Sequence, residues 1–336
     1  MNIEEKIRLI KRNLGEIVSE EELRKLLKEK KKPSIYWGTA VTGRPSLAYF
    51  FPLLKLNDFI KAGFHVKVLL ADLHGALDGT PWHILELRYD YYKEAITQIF
   101  KALGTELKDI EFVKGSEFEL APEYSYDLLK MASMNSIHDC KKAAAEVVKF
   151  GDNPKLGGLI YPIMQALDEQ YLGVDAQFGG MDQRKIFMFA RENLPKIGYN
   201  RRIEVMNPII QGLVGKKMSS SDSKSKIDLT DEEKIIREKI NSAYCVEGNP
   251  DNGIMEFLKY VIMILKEDKK EKFLIERSEK YGGNLTYKNY EDLERDFKQK
   301  KLHPLDLKNA IAKEIIKLLS KIDRKKLNKM TEEAYK

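Results

Sequence analysis

Apolar positions in the first third of the chain switch between two periods. Over residues 3–30 they recur every three or four positions, the stripe of two amphipathic helices, and Ser19-x-x-Glu22 reads as a capping box that starts the second. Ser34-Ile35-Tyr36-Trp37-Gly38 reads as a short strand running into a Gly/Pro loop, Thr42-Gly43-Arg44-Pro45. A helical pattern returns through Leu53, Leu54, Leu56 and Ile60. Then Val66-Lys67-Val68-Leu69-Leu70-Ala71 forms a β-branched apolar run ending in Asp72-Leu73-His74. Strand, helix, strand in that order is a βαβ unit, hence a parallel sheet with a right-handed crossover. Polar residues just past the carboxyl ends of such strands are where open α/β sheets bind ligands.

Further helices are predicted at 84–103 and 124–149, with a strand near Ile110–Val113 between them. Gly157-Gly158 leads into a helix at 160–173, and Gly179-Gly180 into another at 181–193. Past a lysine- and serine-rich loop the pattern becomes wholly helical. Thr230-x-x-Glu233 caps a helix at 231–244, and others follow at about 253–266, 290–299 and 305–320, with Pro304 at a helix start. The expected organisation is an α/β domain over residues 1–226 and an all-α domain over 227–336.

Composition narrows the class without naming a function. The 336 residues are 43% hydrophobic and 33% charged, enough apolar material for a core in a chain that suits two domains. No apolar stretch approaches the ~20 residues of a membrane helix, and the acidic, helical N-terminus lacks a signal peptide's apolar run. Cys140 and Cys245 have no metal-ligand spacing, which argues against a disulfide scaffold or a Cys-type zinc site and suits a cytoplasmic location. A net charge of +6 permits a polyanionic partner, with positive charge concentrated late at Lys321, Arg324, Lys325, Lys326, Lys329 and Lys336. That stretch reads equally as a frayed tail.

Four motifs carry candidate chemistry. Gly215-Lys216-Lys217-Met218-Ser219-Ser220-Ser221 joins a glycine hinge, two ammonium groups and a row of hydroxyls. Such a loop is either a solvated linker or one that closes on a triphosphate, where cations and hydroxyls stabilise a departing pyrophosphate. Tyr161, Gln165 and Asp168 fall at i, i+4 and i+7 of one helix, a stripe of phenol, amide and carboxylate that is either a surface face or a small polar pocket. Tyr and Gln are groups that would receive an ammonium, and the carboxylate one that would accept a phenolic hydroxyl. A site that hydrogen-bonds a substrate hydroxyl rejects the analogue lacking it by ~10⁴–10⁵. Gly179-Gly180-Met181-Asp182-Gln183-Arg184-Lys185 places glycines at a helix start, where backbone approaches a ligand closely and Asp182 is placed to accept ribose hydroxyls. His74 reads either as a satisfied core histidine or as a functional one.

Taken together, these motifs resemble the tyrosyl-tRNA synthetases of the archaeal and eukaryotic type, in collinear order from about residue 5 to 320. The resemblance rests on Tyr36-Trp37-Gly38-Thr39-Ala40, Ala71-Asp72-Leu73-His74, Tyr161-Pro162-x-x-Gln165-Ala166-Leu167-Asp168-Glu169, Asp175-Ala176-Gln177-Phe178-Gly179-Gly180 with Asp182-Gln183-Arg184-Lys185, and Lys217–Ser221. Tyr36-Trp37-Gly38-Thr39 favours the eukaryotic branch. It implies a Rossmann-type catalytic domain with a connective insertion at about 110–155, then a helical anticodon-binding domain, in a homodimer. The implied chemistry is the joining of L-tyrosine and ATP, with Mg²⁺, to tyrosyl-adenylate and transfer of tyrosine to tRNA(Tyr). By this resemblance no tightly bound cofactor and no metal site are expected.

By position, the resemblance puts Tyr36 and Asp168 on the substrate phenol and Tyr161, Gln165 and Gln183 around its ammonium. Gly38, Gly180 and Asp182 meet ATP, with Lys217, Ser219, Ser220 and Ser221 on its phosphates. Lys142 and Arg184 match positions near the first acceptor base pair. Tyr281 matches an aromatic that stacks on an anticodon base, and Asp306, in Leu302-His303-Pro304-Leu305-Asp306, a carboxylate that reads the first anticodon base. The sequence ends soon after this part, so the extra C-terminal domain of some eukaryotic relatives is not expected.

One departure bears on catalysis. The class signature His-x-Gly-His corresponds here to Ser46-Leu47-Ala48-Tyr49. Tyr49 fits the branch, but Ser46 replaces the first histidine with a shorter, uncharged group. Losing one transition-state donor costs ~2.7–4 kcal/mol, or ~10²–10³ in rate. Gly75-Ala76 also replaces a larger pair after His74. Three readings follow: a working synthetase, a weakened paralogue that binds tyrosine or tRNA as a regulator, or an enzyme with altered aromatic amino-acid choice.

Overall fold

In the computed structural model, residues 1–212 and 226–336 are described, and the lysine–serine loop falls outside them. The chain opens with amphipathic helices α1 (Ile3–Lys11) and α2 (Glu20–Glu29), separated by a three-residue strand, β1 (Glu16–Val18). Ser19 caps α2 by accepting from Glu22 N at 3.2 Å, while the Glu22 carboxylate pairs with Arg191. The βαβ unit follows as β2 (Ser34–Ala40), α3 (Phe50–Lys61) and β3 (His65–Ala71), paired in parallel from Ser34 opposite His65 to Ala40 opposite Ala71. α4 (Asp72–Leu77) begins directly on the end of β3, and α5 (Leu85–Leu103) ends at Gly104, whose φ of 79° favours glycine.

β4 (Ile110–Lys114) joins β3 in parallel and leads to α6 (Ser116–Glu119), α7 (Pro122–Met134) and α8 (Ile137–Ala144). The single helix expected at 124–149 is therefore broken. Ser136 accepts from Asp139 N at 3.2 Å and Asp139 accepts from Ser136 N at 3.0 Å, a full capping box that restarts the helix. α9 (Gly157–Tyr171), β5 (Ala176–Gly180), α10 (Arg184–Asn193) and β6 (Ile203–Asn207) complete the sheet.

Its strand order is β1-β6-β5-β2-β3-β4, parallel except for β1, which runs antiparallel along β6. From β2 the chain builds outward first through β3 and β4, then returns to the other side as β5 and β6. The order thus reverses between β2 and β5, which leaves a crevice past their carboxyl ends. α3 and α5 pack on β3, with Phe59, Ile96 and Phe100 all buried.

The C-terminal segment is helical with one addition. α11 (Glu233–Ser242) opens at Glu232 without a side-chain cap, because the Thr230 hydroxyl bonds Asp228 Oδ1 at 3.1 Å instead. α12 (Gly253–Phe257) continues through one π-helical turn, Leu258–Ile262, into α13 (Met263–Asp268). A two-stranded antiparallel ribbon, β7 (Phe273–Ile275) with β8 (Leu285–Tyr287), then interrupts the expected run of helices. α14 (Tyr290–Lys298), α15 (Pro304–Leu319) and α16 (Arg324–Ala334) follow.

The basic end of the chain is the ordered helix α16, with Leu327 and Ala334 buried against α5. Arg88 of α5 stacks its guanidinium 3.6 Å from the Tyr335 ring centre and donates from Nε to Ala334 O at 2.6 Å. The same guanidinium donates to Thr42 O, and Tyr92 to Gly43 O, so the loop after β2 is tied to α5 as well.

Candidate active site

The crevice at the strand-order reversal is a cavity of ≈ 260 Å³. Its walls are the ends of β2 (Gly38, Thr39, Ala40), β3 (Leu69, Ala71) and β5 (Phe178, Gly179, Gly180), and α9 contributes Tyr161, Gln165 and Asp168. The stripe at i, i+4 and i+7 is thus a pocket wall, not a surface face. Asp168 is 1% exposed, and Ile163, Ala166 and Leu167 anchor the other sides of α9 in the core.

The sequence-predicted polar groups on the floor lie against named neighbours, some hydrogen-bonded and some not. The Tyr36 hydroxyl donates to Gln177 Oε1 at 2.8 Å, across a pair of directly opposed residues of β2 and β5. Burial, followed by Asp168, Glu169 and Glu204, pushes the Tyr36 phenol well up, so it stays a donor. Asp168 accepts from the Tyr124 hydroxyl at 2.8 Å, and that hydroxyl also lies 2.9 Å from Met164 O. His74 is buried, with Nδ1 3.3 Å from Glu119 Oε1 and Nε2 3.7 Å from Asp168 Oδ2. Tyr161 meets the His74 ring edge to face, the centroids 4.6 Å apart. Gln165 Nε2 donates to Gln183 Oε1 and Gln183 Nε2 to Asp182 Oδ2, both at 3.0 Å, which aligns three predicted residues along one rim.

The two glycines ending β5 are there for space. A Cβ on Gly179 would stand 2.7 Å from Phe187 Cζ, and one on Gly180 would run into the Asp182 carboxylate. Gly38 is exposed on the same rim.

Two predicted residues do not reach the cavity wall. Ser46 is 7% exposed, and its backbone forms a bridge with Asp228, while Leu47 N donates to Ile227 O at 2.9 Å. The loop is thus roofed by residues 226–228, with Arg44 3.3 Å from Asp228. The Tyr49 hydroxyl is 3.0 Å from Thr39 Oγ1, so it supports a wall residue from behind. Lys217, Ser219, Ser220 and Ser221 lie outside the described residues.

Lys142 of α8 and Arg184 of α10 come together on a separate groove of ≈ 450 Å³, with Asp139, Lys185, Glu192 and Lys196. Arg184 holds Glu16 through bonds of 2.6 and 3.0 Å. Tyr281, 65% exposed, sits in the connection between β7 and β8. Asp306 is in the first turn of α15, where His303 acts as the cap, its Nδ1 accepting from Leu305 N at 3.2 Å.

Gln177, Tyr124 and Glu119 were assigned no role from sequence. Gln177 carries a signal only once β5 is placed beside β2; Tyr124 and Glu119 reach the floor from helices 44 or more positions away from Asp168, beyond any local spacing rule.

A polar crevice at the reversal of a parallel sheet, glycine-rimmed and floored by phenol and carboxylate groups, defines a Rossmann-type ligand-binding α/β protein. Residues 28–320 match the family of class I tRNA synthetases (W and Y), and the chain belongs to it, in the branch of the tyrosine–tRNA ligases. It is 48% identical over 339 residues to the cytoplasmic tyrosine–tRNA ligase of Gallus gallus, which spans 99% of this chain but only 63% of that protein. It is 46% identical to the cytoplasmic tyrosine–tRNA ligase of Saccharomyces cerevisiae, over 97% of this chain and 86% of that one. The structure of tyrosyl-tRNA synthetase complexed with L-tyrosine from Archaeoglobus fulgidus superposes with a TM-score of 0.89 at 40% identity, covering 97% of this chain and 99% of that one.

Proposed function

We propose that the protein activates L-tyrosine with ATP and transfers it to tRNA(Tyr). The observation that carries this reading is the buried Asp168 carboxylate on the floor of a 260 Å³ cavity, smaller than the roughly 300–1,000 Å³ of drug-sized sites and suited to one amino acid. Tyr36 and Asp168 hold the substrate phenol, and Tyr161, Gln165 and Gln183 surround its ammonium. Gly38 and Gly180 let the adenosine approach, Asp182 accepts its ribose hydroxyls, and Lys217 with Ser219, Ser220 and Ser221 meets the phosphates.

ATP enters as its Mg²⁺ complex, a substrate. The tyrosine carboxylate attacks the α-phosphorus, the bond to the β-phosphate oxygen breaks, and pyrophosphate leaves. The nucleophile is already ionised, so no side chain need remove a proton; orientation and charge stabilisation supply the rate. A terminal ribose hydroxyl of tRNA then attacks the adenylate carbonyl and AMP leaves. Lys142 and Arg184 line the groove for the acceptor end, and Tyr281 and Asp306 meet the anticodon beside His303. Residues 227–336 then serve as the anticodon-binding domain, and 1–226 as the catalytic one.

The protein works as a homodimer in the cytosol on this reading. Tyr126 and Leu129, one turn apart on α7, and Ile137 at the start of α8 are each about two-thirds exposed, an apolar face fitted to a second copy. Relatives named cytoplasmic and two free cysteines support the location. Ser46 favours a second reading, a tyrosine- and tRNA-binding paralogue that has lost activation. Tyrosine-dependent ATP–pyrophosphate exchange by the parent and by Ser46→His separates the two: prompt exchange by the parent supports the ligase, and a dead parent revived by histidine supports the paralogue.

A further inference from the structure

The floor of the crevice contains an ionisable group larger than phenol recognition requires. His74 stands between two carboxylates from different helices, Glu119 of α6 on its Nδ1 side at 3.3 Å and Asp168 of α9 on its Nε2 side at 3.7 Å. The three side chains are 4%, 0% and 1% exposed. Among the described residues, neither ring nitrogen and neither Glu119 oxygen has a hydrogen-bond partner. α4 is fixed against α6 by Ser116 N, which donates to Asp72 Oδ1 at 2.9 Å, so the ring cannot drift from Glu119 without breaking that tie.

Two carboxylates cannot stay ionised in such a place without a cation. A metal ion and a proton are the candidates. The ligand atoms of His74, Glu119 and Asp168 lie within 4.8 Å of one another, the make-up of a metal site. The ring orientation decides against it. Each carboxylate faces a different nitrogen, whereas a metal takes one nitrogen and leaves the other carboxylate facing a bare ring edge. A doubly protonated imidazolium presents an N–H to each.

For the ring, charge agrees with this geometry. Burial works against the charged ring, but Asp168, Glu119 and Asp72 together raise it to about 9. Asp168 is pushed well up by burial and by Glu119, and is held back by His74 and by the Tyr124 hydroxyl. The groups that face this cluster are Glu119 from α6, Tyr124 from α7, Asp168 and Tyr161 from α9, and Asp72 from the ring's own helix.

We propose that His74 is a positioning residue, an imidazolium clamped between Glu119 and Asp168 that keeps Asp168 an anionic acceptor for the hydroxyl of the substrate ring. The functional half rests on the tyrosine reading above; the charge state of His74 does not. Preference for a hydroxylated over a bare aromatic ring then depends on Glu119, which is absent from the cavity wall and acts through two intermediaries.

The test uses the full chain with ¹⁵N-labelled histidine. Long-range ¹⁵N–¹H spectra from pH 6 to 8.5, with His74→Asn for assignment, should show both His74 nitrogens protonated throughout, and Glu119→Gln should bring its titration into that window. In parallel, tyrosine and phenylalanine binding is measured by calorimetry. His74→Asn should lose about tenfold or more in tyrosine affinity with little change for phenylalanine. Its remaining tyrosine affinity should climb with pH as Asp168 ionises unaided. A neutral His74 at pH 7 overturns the proposal, as does a His74→Asn variant with the parent's tyrosine affinity and pH profile. Stoichiometric Zn²⁺ binding by the parent that His74→Asn abolishes overturns it in favour of a metal. A parent that binds no tyrosine refutes the tyrosine reading alone, and the spectra still decide the charge of His74.

Discussion

Tyr36 donates its hydroxyl to Gln177 at 2.8 Å, so the strand-order reversal is spanned by a hydrogen bond between its two flanking strands. Both residues are at most 3% exposed. Tyr36→Phe strands the Gln177 amide and should cost about 1–3 kcal/mol of stability in urea denaturation. Making Gln177→Met in addition removes the orphan and should recover most of that loss, because replacing both partners is nearly neutral. A double variant as unstable as the sum of two singles would show that the bond is not the source.

Asp168 carries the choice between tyrosine and phenylalanine. Asp168→Asn keeps the shape and removes the anionic acceptor, so tyrosine affinity should fall about 10- to 100-fold while phenylalanine affinity holds. Calorimetry with both amino acids measures the ratio. Loss of both affinities alike would mean a collapsed cavity.

Arg184 and Lys142 line a groove apart from the tyrosine cavity, which predicts a separation of the two half-reactions. Arg184→Ala and Lys142→Ala should each leave pyrophosphate exchange intact and weaken tRNA charging at low tRNA roughly 5- to 100-fold. A contact to phosphate also lowers the salt slope of tRNA binding by about one, and a contact to a base does not. Equal losses in exchange and charging would move these residues out of the tRNA interface.

Glu169 predicts a pH dependence of stability. It is fully buried with neither oxygen hydrogen-bonded among the described residues, and burial pushes its carboxyl up to about 8 against the pull of Arg202 and Arg191, with Asp168 adding to the rise. The folded state therefore keeps a proton that the unfolded chain gives up near 4.5, and stability falls as pH climbs from there to about 8. Glu169→Gln, a permanent mimic of the protonated form, should add on the order of 2–4 kcal/mol at pH 8 and little at pH 5. Thermal melts of both proteins at the two pH values check the sign.

The parallel sheet was legible where strands are long and apolar. β3 declares itself by a β-branched apolar run and β2 by Ile35-Tyr36-Trp37 before a Gly/Pro loop, but β5 is five residues ending in two glycines, and β6 interleaves Glu204 and Asn207 with its apolar positions. β1 has three residues and exists because β6 offers it an edge. Short strands like these are made by their neighbours, not by their own propensity. The break at Asn135-Ser136 was readable in principle, since Ser136 and Asp139 stand at capping-box spacing, with Asp in place of the usual Glu. Within the site, Tyr161, Gln165 and Asp168 could be joined by helical periodicity. Tyr124, Glu119 and Gln177 reach the same floor only through the tertiary fold.

The end of the chain is buckled to the middle. The Arg88 guanidinium grips Tyr335 and Ala334 on one side and the carbonyl of Thr42 on the other, so the last helix and the loop after the first parallel strand share one fastening. Gln98 and Ala102 of the same helix α5 hold Asp323 N and Lys321 Nζ at 2.6 and 2.8 Å, about three and four turns further along. Neither half can peel away while the other stays whole, and heat should melt them as one cooperative body, in a single calorimetric peak.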